Sequence, residues 1–499
     1  MPQAAQGDQT ARSFPQTPGK VLLLLFVSLF VTFAYFFHTE AGWNVNSRIC
    51  LTYAIVEKRS FIIDVYQKIE ELYTQDRASF EGHYYSDKII GTSLLGAVPM
   101  TALHVVSRVV GREFSWDVKR YVTRTFSVSV LGALAGVVLY ALLLRLGASA
   151  RGAIFLTLAF VFGTQIFSIC TVFLSYAPAT CFTLLSYLLL IRQRDALDSR
   201  TLFPAGLALG GALLCEYTVG IAAIGLSVYA FHHLSKRHAI LWYWFGAALP
   251  LSVFVIYTLI CFGRPTIPYE YLENEEFRQG MSQGFQGIVG FNPAVFYYIT
   301  VHRYRGLFYH SPFLALAIWG WIAMWRDPRR RSDAVLSIAM VVGYLAFNAS
   351  YYMWWGGWTN GPRHLIPALP FLIVPLVWVW RSGAVGRAAL VGLVAIGIFF
   401  NTIPAMVDAQ TPQNEPKSHL YHPRIAYNYP DPLWESRNLL TQRDTGTVAF
   451  FRGNVAGNGG QLLGLRGLWS LLPLTVLWCV MAAILFRLMP MPNDRGAMK

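Results

Sequence analysis

Apolar residues recur along the chain in runs long enough to cross a membrane. The first covers residues 21–37, and the last ends at residue 487. Because about 20 apolar residues in a helix span roughly 30 Å of hydrocarbon, each run predicts a membrane helix or part of one. The other runs lie at about 89–110, 125–145, 152–170, 173–192, 202–215, 219–234, 240–262, 311–325, 334–350, 364–380, 386–406 and 466–487. The pattern predicts an all-α, polytopic transmembrane helix bundle of roughly 12 to 13 segments.

The polar stretches divide the predicted bundle into regions. We expect residues 1–20 to form a cytoplasmic tail and residues 21–406 a transmembrane module. Its first external loop, residues 38–88, is dense in charge and is predicted to carry interfacial helices. Residues 407–465 are predicted to form a further external loop, and residues 466–499 the last membrane helix and a C-terminal tail. Several apolar runs are too short to span squarely, which favours an internal cavity that covers their ends.

The composition excludes the soluble classes of protein. Hydrophobic residues make up 55% of the 499 residues and charged residues only 13%, roughly half of what soluble domains carry. The net charge of +14 comes from 40 Lys and Arg against 26 Asp and Glu. We attribute it to membrane topology rather than to nucleic-acid binding, because the basic residues lie in short connectors.

These basic connectors assign the two faces of the bundle. Connectors near residues 192–200, 236–237, 326–331 and 381–387 are predicted to lie inside. The loops 263–310 and 351–363 then lie outside, as do the tips near Tyr176 and Glu216. The N-terminal part does not fit this scheme, because placing Lys20 inside leaves Arg145 outside after two further helices. Either one segment between residues 89 and 145 is re-entrant, or the rule fails at the basic stretch 112–124.

The first external loop holds the first candidate site. A carboxylate in a partly dry site can act as a general base, and a lysine can hold a phosphate. Asp64 stands between two apolar residues and is the first candidate for the base; Asp87 and Lys88, at the mouth of the next helix, can alternatively cap and anchor that helix. The candidate catalytic residues are Asp64, Asp87 and Glu40, and the candidate substrate contacts in this loop are Lys88, His83 and Tyr85.

The second candidate site is the aromatic loop at residues 351–364. Trp354, Trp355 and Trp358 are typical of an interfacial aromatic belt, but they can also line a path for a sugar or a prenyl chain. The neighbouring glycines indicate a tight backbone path. Arg363, ahead of two prolines, is predicted to stand at a helix start beside a polar cavity, where it can bind a phosphate with two parallel hydrogen bonds.

Two further residues are candidates for the binding site. Arg305 precedes an apolar helix, and we expect it to turn inward; anchoring to anionic lipid is the alternative. Glu216 interrupts two short apolar segments, and a carboxylate at such a place indicates either function or a structural arginine partner. The chain has no GxxxxGK[ST] phosphate loop, GxGxxG, HExxH or nucleophile elbow, which argues against a nucleotide-powered pump.

Several motifs together resemble a known group of membrane enzymes. They are Trp43-Asn44-Val45-Asn46-Ser47-Arg48, Ile63-Asp64-Val65-Tyr66, Gly82-His83-Tyr84-Tyr85-Ser86-Asp87-Lys88, Arg305-Gly306-Leu307-Phe308, Trp354-Trp355-Gly356-Gly357-Trp358, Gly361-Pro362-Arg363 and Leu462-Leu463-Gly464-Leu465-Arg466-Gly467-Leu468. Spread over most of the chain, they resemble polytopic glycosyltransferases of the GT-C superfamily. They resemble in particular the bacterial relatives of the protein mannosyltransferase, aminoarabinose transferase and RgtA-like group.

The resemblance implies a function at the non-cytoplasmic face, in a bacterial inner membrane. Such an enzyme takes a sugar from a polyprenyl-phosphate-linked donor and transfers it to a lipid, glycan or protein acceptor. An acidic residue of the first external loop deprotonates the acceptor, and a lysine at the start of the next helix, matched here by Lys88, steadies the phosphate. Some members use a divalent metal and others do not. We see no carboxylate cluster that indicates a metal, so no cofactor is predicted.

One departure from the group bears on the base. Many relatives carry an acidic pair before an arginine just after the first helix, whereas this chain has Asn46-Ser47-Arg48. Asp64 is predicted to take that role, with Glu40 and Asp87 as alternatives. Two other functions stay open: a flippase for a lipid-linked glycan, and a catalytically altered homologue. The absence of a repeat and the position of the charged motifs at one face favour the enzyme over a transporter.

Overall fold

The computed structural model describes residues 19–38, 42–196, 199–302, 304–410 and 450–488. Helices dominate this part of the chain, and the prediction of an all-α polytopic bundle is confirmed. The helices are α1 (Gly19–Ala34), α2 (Trp43–Tyr53), α3 (Gly91–Val110), α4 (Trp116–Arg124), α5 (Val130–Arg145), α6 (Ala150–Gly163), α7 (Ile166–Cys170), α8 (Tyr176–Ala196), α9 (Leu202–Cys215), α10 (Gly220–His233), α11 (Ile240–Phe262), α12 (Glu275–Ser282), α13 (Pro293–Thr300), α14 (Leu307–His310), α15 (Ala317–Arg326), α16 (Arg331–Ser350), α17 (Leu369–Ile373), α18 (Leu376–Arg381), α19 (Ala384–Val407), α20 (Gly459–Leu462) and α21 (Leu472–Leu488).

Short helical turns join these helices. Turns of 3-10 helix cover Asp64–Lys68, Glu70–Leu72, Ser199–Thr201, Tyr217–Val219, Arg237–Ala239, Pro268–Tyr271, Pro312–Leu316, Arg363–Ala368 and Gly467–Leu471, and π-helical turns cover Ala54–Lys58 and Thr125–Ser129. Within the described residues, seven helical stretches are long and apolar enough to cross a membrane. They are Gly91–Val110, Trp116–Arg145, Arg237–Phe262, Arg331–Ser350, Arg363–Arg381, Ala384–Val407 and Gly467–Leu485. The chain is an integral membrane protein.

The first external loop folds into more than the predicted interfacial helices. Beyond α2 and its short helical turns, it contains an antiparallel hairpin of β2 (Arg77–Phe80) and β3 (His83–Ser86). A second pair, β1 (Phe36–Phe37) with β4 (Gly457–Asn458), ties the end of α1 to the segment before α21. Of the predicted loop at residues 407–465, residues 411–449 lie outside the described part of the chain.

Close packing of small residues joins the membrane helices. A Cβ built on Gly206 of α9 would lie 1.8 Å from the carbonyl oxygen of Tyr243 in α11. The helix backbones therefore meet there as only glycine allows, which is how membrane helices pack without a hydrophobic driving force.

The basic connectors lie together at one end of the bundle, as predicted. Arg194 forms an ion pair with Asp333 at 2.9 Å. Arg330 donates a hydrogen bond to the carbonyl oxygen of Arg145 at 3.4 Å, and the end of α5 also approaches Arg381, whose Nη1 would lie 3.5 Å from a Cβ on Gly147. The carboxyl end of α5 thus lies at the basic end of the bundle. The count of crossings from the N-terminus had placed this end of α5 outside.

Contacts of α3 and α4 explain the discrepancy. α3 begins beside the carboxyl end of α9, since a Cβ on Gly91 would lie 2.2 Å from the Leu214 carbonyl oxygen. α4 begins at the same face: Lys119 pairs with Glu57 at 2.8 Å, and Arg120 donates to the carbonyl oxygen of Glu71 at 3.0 Å. Both partners belong to the first external loop. The starts of α3 and α4 therefore lie at the same end of the bundle, which favours the re-entrant alternative.

This topology predicts the outcome of labelling single cysteines in intact cells. Arg112 follows α3, Lys236 precedes α11, and both are exposed. In a Cys479→Ser background, which removes the exposed cysteine, Arg112→Cys should react with a membrane-impermeant maleimide from outside. Lys236→Cys should react only after permeabilisation. Protection of Arg112→Cys in intact cells would mean that α3 crosses the membrane.

Candidate active site

A cavity opens at the end of the bundle opposite the basic connectors. It lies between the first external loop, the starts of α3 and α8, the break between α9 and α10, and the loops around α12 and after α16. The space between its walls, including the part open to solvent, has a volume of about 670 Å³. The lining residues are Asn44, Arg48, Asp76, Asp87, Lys88, Ile89, Tyr176, Glu216, Tyr217, Tyr269, Leu272, Phe277, Met281, Tyr351, Tyr352, Met353, Arg363 and His364.

Lys88 lies between two carboxylates on one wall of the cavity. Its ammonium nitrogen is 2.6 Å from an Asp87 oxygen and 2.9 Å from an Asp76 oxygen. Both carboxylate side chains are at least seven-eighths buried. Two acids around one lysine leave a local charge of about minus one, so a proton or a cationic group is favoured there.

The β2–β3 hairpin brings the two acids together. Arg77 pairs with Ser86 at the open end of the hairpin, and the tight turn at its other end is made by Glu81 and Gly82, both with positive φ. Asp76 and Asp87 directly continue the paired positions, so the strand register places them side by side across the open end.

Asp87 is the most buried acid of the cavity. Besides Lys88, it accepts a hydrogen bond from the Ser47 hydroxyl at 3.0 Å, and Ser47 lies 2.8 Å from the hydroxyl of Ser86. Burial raises the pKa of the Asp87 carboxyl above its usual range, with the Asp76 charge adding to the shift and Lys88 and Ser47 opposing it. A carboxyl with a raised pKa is suited to proton transfer near neutral pH.

Asp64 lies outside the cavity lining. Its two oxygens accept a hydrogen bond from the backbone N–H of Tyr84 at 2.6 Å and contact Nδ1 of His83 at 2.8 Å. The Asp64 carboxylate thus joins the start of the 3-10 turn Asp64–Lys68 to strand β3. His83 is also outside the cavity, with half of its side chain exposed, and Tyr85 packs its ring against Phe262. Glu40 lies outside the described residues.

Arg48 of α2 lines the cavity. It is buried and donates hydrogen bonds to Asn44 and, at 3.0 Å, to the Ser175 hydroxyl. The preceding Asn46 donates to the carbonyl oxygens of Glu71 and Tyr73, so it holds the loop rather than facing the cavity.

Arg363 enters the cavity from the start of its helical turn. Its side chain passes over Gly356, where a Cβ would lie 2.8 Å from the arginine Cγ, so the predicted tight glycine path makes room for it. It is 8% exposed, and its Nε has no hydrogen-bond partner. Among the described residues, no carboxylate lies within 4 Å of its guanidinium. Arg363 is thus a buried cation without a counter-ion in this part of the chain.

Glu216 lines the cavity at the break between α9 and α10. It accepts a hydrogen bond from Ser175 at 2.5 Å and weaker ones from Thr218. Arg48 is at the edge of ion-pair distance, 4.0 Å.

Arg305 and the three tryptophans build the loop above the cavity rather than its lining. Arg305 is buried, and donates to the carbonyl oxygens of Gly357 and Thr359. Trp354 and Trp355 are buried against each other, and Trp358 is half-buried. Their neighbours Tyr351, Tyr352 and Met353 face the cavity.

The outer wall comes from the loop that contains α12. Glu273 pairs with Arg77 and accepts a hydrogen bond from the Tyr84 hydroxyl, and Asn274 donates to Gln75 at 2.8 Å. These contacts fasten the loop to the hairpin. Tyr269, Leu272, Phe277 and Met281 of this loop thereby face the two acids.

Sequence reasoning missed several lining residues. They are Asp76, Asn44, Arg48, His364 and the tyrosines Tyr176, Tyr217, Tyr269, Tyr351 and Tyr352. A weak signal existed for Asp76: Phe80 and the pair Tyr84-Tyr85 flank the Glu81-Gly82 turn, and a hairpin extended from that turn pairs position 76 with position 87.

Comparisons with known proteins give a likeness in structure. No protein-family model matches the sequence, and no curated protein matches it. Among solved structures, the chain resembles archaeal oligosaccharyltransferase AglB from Archaeoglobus fulgidus, in complex with an inhibitory peptide and a dolichol-phosphate.

This likeness is one of overall helical arrangement. The TM-score is 0.47 and the sequence identity 10%, with 84% of this chain and 59% of that protein covered. The chain thus spans less than two thirds of that protein's length. A likeness of this degree has no bearing on activity or ligands, for which the cavity is the basis.

Proposed function

We propose that the chain is a membrane glycosyltransferase that moves a sugar from a polyprenyl-phosphate-linked donor to a lipid, glycan or protein acceptor. The observation that carries the proposal is the convergence of Asp76, Asp87 and Lys88 with Arg363 on one buried cavity. A base and a cationic grip on phosphate are what a direct displacement at the first carbon of a sugar phosphate needs. The cavity lies opposite the basic end, which favours the non-cytoplasmic face, in a bacterial inner membrane.

In the proposed reaction, Asp87 takes the proton of an acceptor hydroxyl. The acceptor oxygen attacks the first carbon of the sugar and forms the new glycosidic bond with inversion. The bond from that carbon to the phosphate oxygen breaks, and its electron pair stays on the leaving polyprenyl phosphate. Lys88 and Arg363 stabilise the charge that develops on this phosphate. Asp76 keeps Lys88 oriented. The hairpin thus supplies two acids, Asp76 and Asp87, in place of the acidic pair that this chain lacks at positions 46 and 47.

The test is sugar transfer by the purified full-length chain in lipid nanodiscs. A panel of radiolabelled polyprenyl-phosphate sugars is incubated with envelope lipids, glycans and secreted proteins, and the release of polyprenyl phosphate is measured. We expect one donor to be consumed and its label to move to one acceptor class. If every donor is inert while proteoliposomes with the chain move a lipid-linked sugar between leaflets, the flippase alternative replaces this proposal.

A further inference from the structure

Four lining residues of the cavity carry buried polar atoms that have no hydrogen-bond partner among the described residues. These atoms are Nε of Arg48, the hydroxyl of Tyr217, Nε of Arg363 and Nε2 of His364. The cavity carboxylates Asp76 and Asp87, by contrast, both contact Lys88. Buried polar groups are rarely left without partners, so this concentration indicates that a polar ligand completes them.

Glu216 lies among these atoms and is itself incompletely bound. Among the described residues, one short hydrogen bond to Glu216 comes from Ser175, whereas the two from Thr218 are 3.3 and 3.4 Å long. Arg48, its nearest cation, is 4.0 Å away and directs its donors to Asn44 and Ser175. An ionised carboxylate can accept about four hydrogen bonds. Glu216 therefore has acceptor capacity that faces the cavity.

A second buried carboxylate shows what a purely structural acid looks like in this chain. Asp333, at the basic end, is fully buried and accepts hydrogen bonds from Tyr229 at 2.7 Å, from Arg194 at 2.9 and 3.0 Å, and from Tyr187 at 3.3 Å. Arg330 adds a further contact at 3.4 Å. This site leaves no acceptor unused and lines neither the active-site cavity nor the smaller cavity near Arg124. Glu216 differs in both respects.

The groups around Glu216 match the chemistry of a sugar ring. A carboxylate accepts from ring hydroxyls or from a protonated amino group, a tyrosine hydroxyl and an imidazole nitrogen can donate or accept, and tyrosine faces pack on the apolar face of a sugar. Tyr217 and Tyr269 present such rings, 5.6 Å apart between centroids, beside Glu216.

We infer that Glu216, with Tyr217 and His364, forms the subsite that binds the sugar of the donor and sets which sugar is accepted. This inference rests on the proposed function. His364 directly follows Arg363 in the chain, and in a sugar phosphate the ring is joined directly to the phosphate that Arg363 would hold. The ring hydroxyls then fall among the unsatisfied atoms, with Glu216 accepting from one or two of them or from an amino group.

The experiment compares donors that differ at one sugar position. With the donor found active above, kcat/KM is measured for the parent sugar and for analogues that lack one hydroxyl or carry an acetylated amino group. The proteins are the wild type, Glu216→Gln and Glu216→Asp, in nanodiscs. We expect both variants to lower kcat/KM for the parent roughly 10- to 100-fold, the value of a hydrogen bond to a charged group, and to leave one analogue unaffected. If the unaffected analogue is a deoxy sugar, Glu216 binds the hydroxyl that this analogue lacks; if the unaffected analogue is the acetylated one, Glu216 binds the amino group.

Controls separate this inference from the proposed function. Binding of sugar-free undecaprenyl phosphate should be unchanged in Glu216→Gln, because the subsite does not hold the phosphate. Glu270→Gln, an exposed acid paired with Arg264 away from the cavity, should change nothing. An equal loss for all donors in both Glu216 variants would overturn the inference and leave the transferase intact. If the wild type neither binds undecaprenyl phosphate nor consumes any donor, the proposed function itself is wrong.

Discussion

Asp87→Asn should lower the rate of sugar transfer by roughly 100- to 10,000-fold, the usual contribution of a general base. An amide at this position keeps the hydrogen bond from Ser47, which is 3.0 Å long, but cannot take a proton. The expected loss is in kcat, with KM for the donor changing little. The measurement is single-turnover transfer from the active donor in nanodiscs, with melting temperature followed in parallel.

The sign of the stability effect makes this variant a clean test. Because burial raises the pKa of Asp87, the folded protein holds its proton more tightly than the unfolded chain does. The charged form therefore costs stability, a cost that is absent below the usual Asp pKa and complete above the raised one. Asp87→Asn removes this cost, so we expect no drop in melting temperature at pH 7.

Asp64→Asn is the matched comparison. Its carboxylate lies at the hairpin, bound to the Tyr84 backbone N–H and His83, and outside the cavity lining. We expect its rate of transfer to stay within tenfold of the wild type. If Asp64→Asn instead abolishes transfer and Asp87→Asn does not, the base is the one that the sequence pattern favoured.

The pH profile should report the same carboxyl. A base must be ionised, so kcat/KM falls as the pH drops through its pKa, and the raised pKa places this limb above the usual ~3.9 of an aspartate. The Ser47 hydrogen bond holds the pKa down. Ser47→Ala should therefore move the acidic limb to higher pH without removing it. If the acidic limb of the kcat/KM profile stays at the same pH in Ser47→Ala, the base is a different residue.

The pattern of apolar runs in the sequence predicted the helix bundle well, because each membrane helix corresponds to its own run of apolar residues. Lys88, Asp87, Arg363 and Glu216 were also predicted, since charge beside an apolar run is rare and costly. All four line the same cavity. Their common position depends on the loops, whose paths are set by contacts between distant residues.

Asp64 illustrates where local reasoning stops. The two apolar neighbours of Asp64 predict a buried acid. In the structure Ile63 is buried, whereas the Asp64 side chain points to the hairpin. Asp76 shows the reverse, because its place beside Lys88 follows from strand pairing across the Glu81-Gly82 turn rather than from its neighbours. Neither outcome can be derived from hydropathy, which records burial of a segment and not the direction of one side chain.

The mismatch in the predicted number of membrane crossings between residues 89 and 145 has a similar cause. α3 has the length and composition of a membrane helix, yet its start and the start of α4 lie at the same end of the bundle. A helix lying along the membrane surface and one crossing it can have the same hydropathy. Only the contacts of its flanking residues distinguish them.

Arg363→Ala should raise the KM for the donor roughly 100-fold and abolish measurable binding of undecaprenyl phosphate. The guanidinium is buried with no carboxylate within 4 Å in the described part of the chain, so an anionic ligand is its natural partner. Arg363→Lys keeps the charge but loses the planar pair of donors, and should recover only part of the affinity. Binding is measured by titration of nanodiscs with undecaprenyl phosphate at two salt concentrations.

Arg305→Ala provides the contrast that gives this result its meaning. Arg305 is also a buried arginine, but its two terminal nitrogens donate to the carbonyl oxygens of Gly357 and Thr359 in the loop that precedes Arg363. Its loss should lower the melting temperature by several degrees and release the loop that positions Arg363. Arg363→Ala removes an unpaired buried charge, so its melting temperature should not fall. Opposite effects on stability and binding in these two variants would identify Arg363 as the anion site, whereas loss of stability in both would make it a structural residue.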